Sequence, residues 1–163
     1  MFPSKQNAED TVVPPGVPPL KAAQDSPLGE QLFFALAQMQ HEFRTRMFDA
    51  LAELGLDVRQ YSTLAFIAEG HTPAQHDLAR ILHLDPSQVV TLTKNLEARG
   101  LLVRETLPRD RRAKALVITE EGKNVYRQAA TKVDHVEEAV TASLSRRDRN
   151  ALKTLLHRIL PLS

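Results

Sequence analysis

The chain has 163 residues, a formal charge of +1, 42% hydrophobic and 25% charged residues, and no cysteine. These values suit a soluble protein of one domain, or one core with an extension, and exclude disulfides, thiolate metal sites and cysteine redox sensing. No run approaches the roughly eighteen apolar residues of a membrane helix, and no secretory signal pattern opens the chain, so a cytoplasmic location is expected.

Charge is uneven along the chain. Residues 1–57 hold 4 Lys/Arg against 8 Asp/Glu, residues 58–118 hold 9 against 6, and residues 119–163 hold 8 against 6. A positive centre follows an acidic N-terminal third, which points to ordinary surface variation or to an acidic partner.

Residues 1–27 contain six of the ten prolines. With few large apolar side chains, this segment buries too little surface to offset its ordering entropy and reads as a flexible arm. From Leu28 to Leu54, the positions Leu32, Leu36, Met39, Phe43, Met47, Leu51 and Leu54 recur at three- and four-residue steps. That spacing predicts one long helix of roughly 40 Å, stopped by Gly55.

Three shorter helices follow. Val58 to Glu69 ends at Gly70. Pro73 opens a second over Ala74 to Leu82. A third begins after the N-cap residue Asp85, with Pro86 at its first position, and stops at Gly100. Val89, Leu92 and Leu96 form its apolar stripe, leaving Ser87, Gln88, Thr91, Lys94 and Asn95 mostly on other faces.

The period then changes to that of strands. Leu101 to Thr106 and Ala113 to Ile118 flank a polar run with Pro108 and Asp110 as turn formers, giving a hairpin with a basic tip. Thr119, followed by Glu120 and Glu121, caps another helix, whose stripe runs through Val125, Ala129, Val133, Val136, Val140 and Leu144. Ser145 caps the last helix.

Two short helices separated by Leu82-His83-Leu84-Asp85 make a helix-turn-helix candidate. The polar residues of the second helix are of types that meet phosphates and base edges. Taken alone they also fit a plain solvated face. The stretch RETLPRDRRAK (104–114), with five basic residues in eleven, favours the DNA reading. A helix in the major groove with a basic loop beside it is winged-helix logic, and Arg side chains gain from the potential of narrow minor grooves.

The run LARILHLDPSQVVTLTKNLEARGLLVRETLPRDRRAKALVITEEG (78–122) resembles the MarR family of winged-helix transcriptional regulators. The markers are LAxxLxLDxSxV, LEARGL, the wing DRRAK and the closing xTxxG, with Ile118 in place of the usual Leu. The resemblance implies a mainly α fold with a two-stranded β wing. It divides the chain into the arm at 1–27, a dimerisation helix at 28–57, a winged helix-turn-helix domain at 58–118 and C-terminal dimerisation helices at 119–163.

The implied partners are a second copy of the chain, a double-stranded, pseudo-palindromic DNA operator, and a small amphipathic or phenolic effector that relieves repression. The resemblance implies no cofactor and no membrane. It places DNA contacts at Gln75, Ser87, Gln88, Thr91, Lys94 and Asn95. In the wing, Arg111 enters the minor groove, Asp110 and Arg112 hold the hairpin's shape, and Arg109 and Lys114 meet phosphates. Thr91 stands where many members carry a DNA-contacting arginine, so base readout shifts to the neighbouring polar residues or to shape. That departure also leaves open a helical interaction or ligand-binding protein with weakened specific DNA binding.

By position, the implied effector pocket takes His41, Arg44, Phe48, Tyr61 and Leu64, although Phe48, Tyr61 and Leu64 also read as core. The six histidines include no pair at helical zinc-clasp spacing, so the sequence offers no local metal site. No nucleophile-elbow context surrounds Ser62 or Ser87, and an enzyme is not expected.

Overall fold

A computed structural model of the chain describes residues 23–107 and 110–160, and the side chains of residues 107–114 fall outside that description. Among the described residues, six helices and one hairpin follow in the expected order: α1 (Leu32–Ala52), α2 (Val58–Ala68), α3 (Gln75–Ile81), α4 (Pro86–Ala98), β1 (Leu102–Leu107), β2 (Asp110–Ile118), α5 (Glu120–Val140) and α6 (Arg146–Ile159). Two compact units divide at His41 and Glu42. The expected arm at 1–27 lies mostly outside the described residues.

Helix α1 starts four residues later than its apolar spacing suggests. Ser26, Pro27, Leu28 and Gly29 form a turn instead, with the Gly29 N–H donating to the Ser26 carbonyl at 2.8 Å. Ser at the first position, Pro at the second and Gly at the fourth is a strong turn signature. The local chemistry overrides the stripe there.

The core lies wholly in the unit from Glu42 onward. Leu51, Leu64, Leu78, Val89, Leu96 and Leu116 are all 0% exposed. Around them α2 packs on α5 and β2, α3 on α4, and α4 on β1. Each aliphatic side chain buried this way contributes about 1.5–3 kcal/mol.

The two turns that flank α4 share one geometry. After α3, the Leu84 N–H donates to the Ala79 carbonyl at 2.9 Å and the His83 N–H to the Arg80 carbonyl at 3.4 Å. This is a Schellman closure, with His83 in the left-handed region at φ 50. The same pairing recurs after α4, where the Leu101 N–H donates to Leu96 and Gly100 takes φ +70. A residue without Cβ adopts that angle at no steric cost. The α3–α4 angle and the exit into β1 are therefore both set locally.

Strands β1 and β2 pair antiparallel from Leu102 with Ile118 through Thr106 with Lys114. The register then jumps to Leu107 with Asp110, so residues 111–113 fall within an irregularity of the ladder. Asp110 thus belongs to β2 rather than to the turn expected around it. Pro73 also departs from its expected place at the opening of a helix. It precedes the N-cap Ala74, is buried, and accepts the Leu116 N–H at 3.0 Å, which ties the approach to α3 onto β2.

Helix α5 begins where its N-cap suggests. The Thr119 side chain accepts the Gly122 N–H at 2.9 Å and donates to the Gly100 carbonyl at 2.7 Å. A Cβ on buried Gly122 would land on the Leu101 carbonyl oxygen and on Ile118. Alanine normally stabilises a helix relative to glycine, but the blocking atom is backbone and cannot swing away. Gly122→Ala is expected to lower the unfolding free energy by about 1–3 kcal/mol. Chemical denaturation measures it, and an unchanged or raised midpoint contradicts the packing.

Candidate nucleic-acid interface

Helix α4 is divided lengthwise. Val89, Leu92, Thr93 and Leu96 are buried, while Ser87, Gln88, Thr91, Lys94 and Asn95 are all exposed. Positions 87, 88, 91, 94 and 95 share one side of a 3.6-residue turn, so the structure gathers five of the expected contacts into one polar stripe. The Gln88 carbonyl oxygen accepts the Asp85 N–H at 3.1 Å, which leaves the Gln88 amide N–H groups facing outward as donors. The Thr91 hydroxyl donates to the Ser87 carbonyl at 3.1 Å, so toward a partner it can only accept.

The buried side of α4 carries one polar group, and that group organises its neighbours. Thr93 is 0% exposed, and its hydroxyl donates to the Val89 carbonyl at 2.9 Å. It accepts from Gln75 Nε2 of α3 at 2.6 Å and, more weakly, from Arg104 of β1 at 3.4 Å. Arg104 also pairs with Glu97 at 2.5 and 3.2 Å. Gln75, expected at a phosphate, therefore spends one amide N–H inside the fold and keeps one other.

Arg99, at the C-cap of α4, donates to the carbonyls of Gly55 and Leu54 at 2.6 and 2.8 Å. A guanidinium at the carbonyl end of α1 is favoured by the partial negative charge there. Lys132 of α5 holds Glu53 beside it at 2.6 Å and lowers that carboxyl below its usual range, first by the hydrogen bond and then by charge. Sequence reasoning passed over Thr93, Arg99 and Arg104. Thr93 sits on the Val89–Leu96 stripe, a readable signal, whereas Arg99 and Arg104 carry no pattern that names their partners.

The backbone of the hairpin brings residues 110–114 onto β2, directly after α4 and β1. The side chains of Asp110, Arg111, Arg112 and Lys114, and all of Arg109, lie outside the described residues.

A family model described as MarR family matches residues 54–113. A MarR-family regulator from Rhodococcus sp. RHA1 is 31% identical, covers 83% of this chain and 98% of its own, and superposes with a TM-score of 0.76. This chain belongs to the MarR family of transcriptional regulators.

CouR from Rhodococcus jostii RHA1, solved with p-coumaroyl-CoA, is 32% identical over 83% of this chain and 95% of its own, with a TM-score of 0.75. CouR solved on a 23-mer DNA duplex gives 30% identity and a TM-score of 0.74, covering 81% of this chain and 94% of that one. A Thauera aromatica protein, whose description links it to transcriptional regulation of the hcr operon, is 33% identical over 99 residues. That match takes in 61% of this chain and 60% of that protein's length.

The residues expected around an effector differ in exposure. Leu64 is wholly buried in the core, Phe48 is 66% exposed, and Arg44 and His41 are exposed. Tyr61 stacks on Tyr126 with ring centroids 6.1 Å apart. The two described clefts, of about 330 and 320 Å³, are lined by other residues. Among the described residues there is no group of three or more His, Cys, Asp or Glu able to hold a metal, and no helix long and apolar enough to cross a membrane.

Burial first, then the charges of Tyr126, Asp134 and Glu137, push the Tyr61 phenol up to about 12 from 10.0. It stays a neutral hydrogen-bonding group throughout the neutral range. Between pH 10 and 12 the unfolded chain gives up this proton while the fold retains it, so stability falls as pH rises through that window. An ultraviolet titration is expected to show one of the two tyrosines ionising near 12, and Tyr61→Phe to remove that late phase. A single phase near 10 in the folded protein contradicts the assignment.

Proposed function

We propose that the protein binds a pseudo-palindromic operator as a homodimer and represses transcription until a small amphipathic or phenolic effector releases it. The exposed polar stripe of α4, with a hairpin carrying an arginine cluster directly behind it, is the observation that carries this reading. Ser87, Gln88, Thr91, Lys94 and Asn95 would face base edges and phosphates in the major groove. Arg111 would reach the minor groove, while Arg109 and Lys114 meet phosphates and Asp110 with Arg112 holds the wing's shape.

Dimerisation has its own support. Helix α6 buries no residue within the chain, yet Leu155 and Ile159 are 51% and 67% exposed along it. An apolar stripe left uncovered by the described residues suits the mate of a second copy. Half-sites would then lie roughly 34–36 Å apart on one face of the duplex. CouR, bound in one structure to DNA and in another to an acyl-CoA, supports both DNA and an organic effector as partners of this scaffold.

The missing arginine at Thr91 favours a second reading, a dimeric interaction or ligand-binding protein that has lost specific DNA binding. One variant separates the two. Arg111→Ala is expected to weaken operator binding about tenfold or more, the effect of losing a charged contact, while the sedimentation coefficient of the dimer stays unchanged. Equal affinity of variant and parent in an anisotropy titration contradicts the wing's role.

A further inference from the structure

A cleft of about 330 Å³ runs beside the α4 stripe, and its lining joins two helices. Ser87, Gln88, Thr91 and Asn95 form one wall, and Asp57, Arg59 and Gln60, at the start of α2, form the other. Arg59 is the only cation in that lining. It is exposed, and among the described residues its guanidinium has no hydrogen-bond or ion-pair partner. Its neighbours are already committed. Asp57 Oδ1 accepts the Gln60 N–H at 2.8 Å and Gln60 Oε1 accepts the Asp57 N–H at 3.0 Å, closing the α2 capping box.

No contact among the described residues accounts for an arginine at this place. A cation in the first turn of a helix opposes the positive end of the macrodipole, so Arg59 gives α2 no support. The stripe it overlooks is, meanwhile, short of positive charge. Lys94 is the only cation among Ser87, Gln88, Thr91, Lys94 and Asn95, and position 91 is a threonine.

We propose that Arg59 belongs to the DNA interface and supplies from α2 the guanidinium that the recognition helix lacks, by gripping a phosphate on the wall of the groove that α4 enters. A phosphate fits better than a base. Arg59 stands across the cleft from the stripe, where the sugar–phosphate strand runs when α4 lies in the groove, and its planar fork matches phosphate oxygens bidentately. The same contact positions α4 without reading sequence. The assignment rests on the DNA-binding reading above.

The test uses the full-length dimer, an operator recovered by selection from random DNA, and a scrambled duplex of equal length, titrated by anisotropy at several salt concentrations. Arg59→Ala and Arg59→Gln are expected to weaken both duplexes by a similar factor, about tenfold, and to reduce the salt slope by about one. Arg59→Lys retains the slope and recovers part of the affinity. Unchanged thermal melting of all three variants separates the effect from folding. Equal affinity and slope in Arg59→Ala overturn the proposal, and so does a loss confined to the operator, which would mark a base contact instead. If the parent protein binds neither duplex, the DNA-binding reading falls and Arg59 with it. If the parent binds and Arg59→Ala matches it, only Arg59 is wrongly placed.

Discussion

The buried hydroxyl of Thr93 is the contact on which the interface depends. It joins α3 through Gln75, β1 through Arg104 and the backbone of α4 itself. The bond from Gln75 contributes about 0.5–1.5 kcal/mol net and sets how α3 sits against α4, while the longer contact from Arg104 ties β1 to the same atom. With α4 held from behind, its outward residues face away from the core as one stripe. The Schellman closures on either side of α4 act in the same direction, one setting its angle to α3 and the other its exit into the hairpin.

A second set of contacts ties α4 to the helices outside the winged-helix segment. Arg99 rests on the carbonyl end of α1, and Lys132 of α5 holds Glu53 one residue before it. These groups are largely exposed and individually weak, since solvent screens them. Their value is geometric: the end of α1, the middle of α5 and the C-cap of α4 meet at one corner. Through that corner the end of α1 and the middle of α5 are both coupled to α4.

The sequence revealed most clearly what is local. Asp85-Pro86 and Gly100 bound α4, Thr119 and Ser145 cap the last two helices, and the α4 stripe separates inward from outward residues correctly, because each signal acts within one or two turns. Where local signals conflict, the stronger one wins, and the Ser26–Gly29 turn displaces the first turn of α1. What the sequence hid is non-local. Gln75 meets Thr93 across 18 positions and Arg99 meets Gly55 across 44. Pro73 serves β2 rather than a helix start because Leu116 needs an acceptor there. Arg59 looks like an ordinary solvated residue until α2 and α4 are set side by side. The basic hairpin RETLPRDRRAK is legible as a wing from its place directly after the helix-turn-helix pattern, whereas the separate roles of its residues rest on the resemblance to the MarR family.

If the α4 stripe and the wing read a specific duplex in two symmetric copies, selection from random double-stranded DNA by the purified protein enriches an inverted repeat whose half-sites lie about one helical turn apart. Failure to enrich any sequence, by protein that is folded and dimeric, would contradict that reading.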